Sequence, residues 1–203
     1  VFHTMVSSML PDMGDFSPQR FPIDPVTNKI ILVNGMKKTE ALIAKRVLRI
    51  GTDGSTMADY QGPVIGSDAH MAGPSATVLS PDGRYAYMTG FRGGLSSFED
   101  KYFLHQVVYR VDLKSNVPEV RDAQGFLKPF IGEFRHTGLA GQNLNNPRGV
   151  AVDGDGNLYV ADFGNDRIAV FKPDGTFKGE RKVVSPEQVE INLKTGAVFV
   201  LSL

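Results

Sequence analysis

No cysteine occurs among the 203 residues of this chain. A disulfide framework, thiol catalysis, a Cys-ligated zinc or iron–sulfur cluster and covalently held c-type haem are therefore excluded within it. Net charge is absent too, with 22 Lys+Arg against 22 Asp+Glu. A neutral chain lacks the overall field that draws a protein to nucleic acid, so nucleic acid is not the expected partner. No apolar run approaches the roughly 18–20 residues that cross a bilayer as a helix. Runs such as Ile30 to Val33 are strand-sized, and no membrane span is expected. No Asn-x-Ser/Thr acceptor is present, so N-glycosylation is not expected. The chain starts on Val, with no charged segment leading into an apolar one. It ends on the apolar run Ala197 to Leu203, and a natural domain seldom stops on a buried strand. A processed, engineered or partial chain is the expectation, as is an extracellular or periplasmic location, with which the lack of cysteine is compatible.

What is present suits a folded chain. Hydrophobic residues make up 41% and charged residues 22%, enough for a core and against disorder. Gly 22 and Pro 12 fit many turns between short strands. One unit recurs: an apolar strand, a tight polar turn, a second apolar strand. Its copies are Ile23–Val33, Val78–Met88, Val150–Val160 and Val189–Val200. The turns carry Asn28, Gly83, Gly156 and Gly196 where a positive φ is wanted. A third strand follows in three copies, Arg46–Ile50, Val107–Val111 and Arg167–Phe171, and an outer one is expected next, as at Thr176–Lys178. Four antiparallel strands joined this way make one propeller blade. Turn positions 156 and 196 stand 40 residues apart, within the period of roughly 40–50 residues for such blades. Longer steps before them are insertions, which loops accommodate.

Residues 143–175 carry the most specific pattern. It reads Pro147-Arg148-Gly149-Val150-Ala151-Val152-Asp153, Gly156-Asn157-Leu158-Tyr159-Val160-Ala161-Asp162, Asn165-Asp166-Arg167-Ile168, then Asp174-Gly175. This closely resembles an NHL repeat, and the other copies resemble it in outline. The resemblance implies an all-β fold: a β-propeller of four-stranded antiparallel blades, six in most relatives. Such propellers serve as enzymes, protein-binding platforms or RNA-binding platforms. The expected organisation is a single partial propeller over 1–203. Blade 1 takes about 20–60, blade 2 about 74–130, blade 3 about 146–180, and blade 4 begins at about 186–203. Three and a half blades do not close, because propellers have roughly four to eight. The chain is thus expected to be a piece of a larger propeller. Its expected partners are the remaining blades or another protein chain, together with a small-molecule ligand.

In a propeller, the loop between strands two and three and the connector into the next blade share one face. His70, His105 and His136 fall in or beside such loops. Neutral imidazoles around an axis can bind a divalent metal, and these three are the metal candidates, although no His-x-x-x-His spacing supports them. Peptidyl-hydroxyglycine lyases, relatives in this group, place zinc-binding histidines near the axis. Their pattern has Asp-Gly-Tyr-Cys-Asn-Ser-Arg where this chain has Asp162-Phe163-Gly164-Asn165-Asp166-Arg167, so the Tyr-Cys pair is absent.

Arg148 precedes an innermost strand and can clamp a carboxylate or phosphate, or simply be a polar rim residue. Arg92, Asp162 and Arg167 complete the expected axial ligand-binding set. For Asp162 and Arg167, five residues apart, an ion pair that fixes the loop is the competing reading. Asp153-x-Asp155-x-Asn157 opens like a calcium loop, but Leu158 and Gly164 stand where Gly and Glu are needed, so a hairpin turn is expected. Lys37, Lys38, Lys45, Arg46 and Arg49 make a basic stretch around the first insertion, and Phe91–Leu104 forms a glycine-hinged aromatic one. No nucleophile elbow, phosphate loop, dinucleotide fingerprint or His-Glu-x-x-His occurs. The expected function is ligand or protein binding within a larger protein or complex. The alternative is a metal-dependent lyase or hydrolase using the axial histidines.

Overall fold

The computed structural model describes residues 30–36, 45–50, 56–66, 76–90, 105–113, 128–134, 138 and 141–203. Thirteen strands appear among them, with no α-helix. Strands β1 (Ile30–Met36), β2 (Lys45–Ile50) and β3 (Thr56–Gly66) form a three-stranded antiparallel sheet. Strands β4 (Ala76–Leu79), β5 (Tyr85–Thr89), β6 (His105–Asp112) and β7 (Ile131–Phe134) form a four-stranded one. Strands β8 (Pro147–Val152), β9 (Leu158–Asp162), β10 (Arg167–Phe171) and β11 (Phe177–Lys182) form another. Strands β12 (Pro186–Ile191) and β13 (Val198–Ser202) pair alone. Within each sheet, strands adjacent in sequence pair antiparallel. The first sheet runs on to Gly66 and the second to Phe134, beyond the stretches 20–60 and 74–130 read from the repeats. The expected strand at Ile23–Val26 lies outside the described residues.

Local chemistry explains the hairpins. Asp82, Asp153, Asp174 and Asn192 each accept a hydrogen bond from the backbone N–H two residues on, at 3.0, 3.0, 2.9 and 3.0 Å. This side-chain turn closes the bend, and a glycine at positive φ (Gly83, Gly156, Gly175, Gly196) completes it. Asp153 also accepts from Asn157 N–H at 2.8 Å, from the Asn157 amide at 2.8 Å and from the Tyr159 hydroxyl at 3.3 Å. Its carboxylate closes the hairpin, so the calcium-like opening is a turn.

The sheets stack face to face through strands buried on both sides. Val150 and Val152 of β8, Leu158 and Val160 of β9 and Phe171 of β10 pack with Tyr87, Val108 and Ile131 of the preceding sheet. On the opposite face, Ala151, Ala161 and Ile168 pack with Val189 of β12. Fully burying such a side chain stabilises the fold by roughly 1.5–3 kcal/mol. The innermost strands β4, β8 and β12 are successive neighbours. Gly149 permits the last approach, because a Cβ there would lie 2.9 Å from the Gln188 Cα. Sheets stacked through their first strands are blades around a common axis.

Candidate functional site

The meander brings one set of loops to one end of the blades: the segment before β8, the β9–β10 loop, and the β11–β12 connector. In the β9–β10 loop a 3-10 turn, Phe163–Asn165, ends on Asp166 in the left-handed region at φ 50°. That conformation lets the Asp166 carbonyl accept from Val183 N–H at 3.0 Å while Oδ1 accepts from Ser185 N–H at 2.8 Å. One residue thereby fixes the path from β11 into β12.

Beneath this loop, Asp162 and Arg167 form a buried ion pair at 2.8 Å. Asp162 Oδ2 accepts from Arg167 Nε and from the Asn165 amide, each at 2.8 Å. Oδ1 accepts from Asn145 N–H at 2.7 Å. The guanidinium also donates to the Asn143 carbonyl at 2.6 Å and to Glu180 at 2.5 Å. Asn165 reaches the Gly138 carbonyl at 2.7 Å, and Asn145 meets Gly164 through two bonds. Burial pushes the Asp162 carboxyl above its ordinary range, outweighing the pull of its three donors. Burial works against the Arg167 charge as well, but the bonds to Asp162 and Glu180 hold its pKa above the usual value. Buried in this way, Asp162 presents no oxygen to a ligand, and the pair clamps the loop before β8.

Arg148 is placed differently. It occupies the second position of β8 and its side chain is 21% exposed. Its guanidinium lies 3.4 Å from the centroid of the Phe163 ring and forms an ion pair with Glu187 at the second position of β12. A guanidinium on an aromatic face with a carboxylate at its edge is a strong, preorganised arrangement. It joins two consecutive innermost strands and the loop between β9 and β10. Asn146 N–H donates to the buried Gln106 side chain, tying this rim to the blade before it.

Of the residues picked out in the sequence, Arg148, Asp162 and Arg167 thus stand at one end of one blade. His105 is the first residue of β6, in register with Phe134, and its backbone falls at the same end of its own blade. The His105 side chain, together with His70, Arg92 and His136, lies outside the described residues. Among the described residues no group of three or more His, Asp and Glu could hold a metal ion. Phe163, Glu187 and Gln106 were missed. A signal for Glu187 existed: Pro147-Arg148-Gly149-Val150 and Pro186-Glu187-Gln188-Val189 are equivalent stretches of successive copies, and they put opposite charges at the same position.

These stacked, sequence-ordered meanders make the chain a β-propeller protein. Solved structures share the architecture. A luciferin-regenerating enzyme is 15% identical, with a TM-score of 0.55 over 97% of this chain and 57% of its own. Virginiamycin B lyase from Staphylococcus aureus is 16% identical, with a TM-score of 0.52 over 93% of this chain and 50% of its own. Residues 144–171 match the NHL repeat. The E3 ubiquitin-protein ligase TRIM71 of Gallus gallus is 32% identical over 116 residues, 51% of this chain and 13% of the relative. TRIM71 of Xenopus tropicalis is 40% identical over 76 residues, 36% of this chain and 9% of the relative. The chain thus matches a small part of the curated relatives' length and about half of the solved propellers. Among the described residues, no helix is long and apolar enough to cross a membrane.

Proposed function

We propose that this chain is a binding module of NHL-propeller type, working within a larger protein or complex. Its ligand face is the end of the blades that carries Arg148, Phe163 and Glu187. One observation carries the reading: the rim is divided into a buried clamp and a part-exposed cluster. Asp162, Arg167, Asn165 and Asn145 direct their bonds inward and stiffen the loops. Arg148 and Glu187 remain within reach of solvent, with side chains 21% and 18% exposed. A ligand carboxylate or phosphate competes with Glu187 for the guanidinium, and the Phe163 ring adds an apolar surface beside it. A site held rigid before the ligand arrives loses less entropy on binding. The small fraction of each E3 ubiquitin-protein ligase that this chain matches supports a part played inside a longer polypeptide. Fold likeness to enzymes does not transfer an activity.

The test is a thermal-shift screen of small carboxylates, phosphates and acidic peptides against the wild-type protein and Arg148→Ala. Compounds that stabilise the first and not the second support the rim as the site. Stabilisation that survives in Arg148→Ala moves the site elsewhere. One tightly held metal per purified chain, lost on changing His70 or His136 to Ala, would favour a metal-dependent enzyme instead.

A further inference from the structure

The sheets β4–β7 and β8–β11 each hold four strands and pack against one another. At the hairpin end of their seam, opposite the loops that carry Arg148, cations and aromatic rings alternate. Strands β5 and β6 pair Tyr85 with Asp112 and Tyr87 with Arg110, which puts all four side chains on one face. The Arg84 guanidinium lies 5.0 Å from the Tyr85 ring centroid. The Arg110 guanidinium lies 4.8 Å from the Tyr85 centroid and 4.0 Å from that of Phe130. Phe130 is fixed from two sides. Its N–H donates to the Val108 carbonyl at 2.9 Å, and the β10–β11 turn packs on its ring. Gly175 of that turn, at φ 88°, comes so near that an added Cβ would lie 3.2 Å from the ring.

The two arginines differ in their partners. Arg84 donates twice to Asp112 Oδ2, at 3.1 and 3.0 Å. Asp82, in the β4–β5 hairpin, accepts from the Ser80 hydroxyl and the Arg84 N–H. Arg110, a part-exposed residue, forms no ion pair among the described residues. It stands beside the Tyr87 hydroxyl, whose pKa burial raises against the pull of the guanidinium. An arginine with rings against its faces keeps its N–H edge for a partner, and the apolar flank strengthens its attraction to an anion.

We propose that Arg110, flanked by Tyr85 and Phe130, docks the side-chain carboxylate of an acidic polypeptide partner. The planar carboxylate meets the guanidinium edge through two parallel hydrogen bonds, and the methylene stem of a glutamate lies against the rings. Charge selects this occupant. Of the two guanidiniums in the ladder, Arg84 is neutralised by Asp112, which leaves one positive charge for one carboxylate. A phosphate monoester, with about two negative charges, calls for a cluster of cations. The site lies at the other end of the blades from Arg148, and the inference does not rest on that rim.

The probe is a short fluorescein-labelled peptide of alternating Gly and Glu. The same peptide with Gln for Glu, and one with phosphoserine for Glu, are the comparisons. Each is measured by fluorescence anisotropy in the wild-type protein and in Arg148→Ala, which separates this site from the rim. The Glu peptide is expected to bind about tenfold tighter than the Gln peptide in both proteins, a gap of about 1.4 kcal/mol that narrows in high salt. Arg110→Gln should remove the difference. Arg110→Lys should remove most of it, because an ammonium has no planar fork to present. Asp112→Asn releases Arg84 and should tighten binding of the Glu peptide about threefold, a gain that an unfolded variant cannot give. Lys194→Gln, at the distant β12–β13 turn, should change nothing. A preference that survives Arg110→Gln, or that Arg110→Lys retains in full, overturns the proposal. So does tighter binding of the phosphoserine peptide, or displacement of the Glu peptide by an equal concentration of glutarate, which would assign the site to a small dicarboxylate. A preference lost in Arg148→Ala and kept in Arg110→Gln overturns this inference and supports the rim. Rim ligands that fail while the Arg110 preference holds count against the rim alone.

Discussion

The sheet β8–β11 and the pair β12–β13 begin alike and finish differently. Both open on Pro, a charged residue, one further residue and Val, and both turn back through a side-chain-closed hairpin. The first then adds β10, whose Arg167 reaches Asp162, Glu180 and the loop carbonyl of Asn143. The second has no third strand among the described residues, and Val198, on the face toward Ile168 and Val170 of β10, remains 42% exposed. The third strand therefore does more than extend a sheet: it supplies the cation that locks the rim and the apolar residues that seal one blade against the next.

Four changes test that contrast, beginning with the largest effect. Arg167→Met leaves the Asp162 carboxylate buried without its cation and should cost about 3–5 kcal/mol in urea unfolding. A loss below about 1 kcal/mol would mean that the clamp does not govern the blade. Gly149→Ala pushes a methyl against the β12 backbone and should cost about 1–3 kcal/mol. Its effect should fall on the junction of the two sheets, read as faster hydrogen exchange in β12 than in β9. The third change is alkaline pH. Burial raises the pKa of Tyr87, and burial followed by the neighbouring Asp153 raises that of Tyr159. The fold favours the neutral phenols, so their contribution is complete below their ordinary pKa near 10 and is lost as pH rises through the raised values. Stability should fall in that window, with phenolate absorbance from these two tyrosines lagging behind that of free tyrosine; Tyr87→Phe with Tyr159→Phe should flatten the fall. Smallest is Phe199→Ser on the open face, which should move stability by no more than about 0.5 kcal/mol while raising solubility. A large destabilisation there would show that Phe199 is packed.

The hairpins and third strands were legible in the sequence because their causes are local. Asp82-Gly83 and Asp153 to Asn157 close turns with their own side chains, and the apolar strands on either side of them appear as β4, β5, β8 and β9. Arg46–Ile50, Val107–Val111 and Arg167–Phe171 fall within β2, β6 and β10, and the outer strand expected at Thr176–Lys178 is β11. Ile131–Phe134 was not placed, because only pairing with β6 across a long connection makes it a strand. At the rim, spacing joined Asp162 to Arg167 but could not say whether their charges turn outward or inward. That depends on Asn143 and Asn145 arriving from a separate loop. Glu187 meets Arg148 only because Gly149 lets two inner strands come together, a distance no linear pattern contains.

Because within each sheet every strand pairs with its neighbours in sequence, every sheet described assembles without a crossover from a distant part of the chain. Such short-range topology lowers the loop-closure cost that slows most all-β folding. A blade can therefore form while the following residues are still leaving the ribosome, and each finished blade offers its flank as the template for the next.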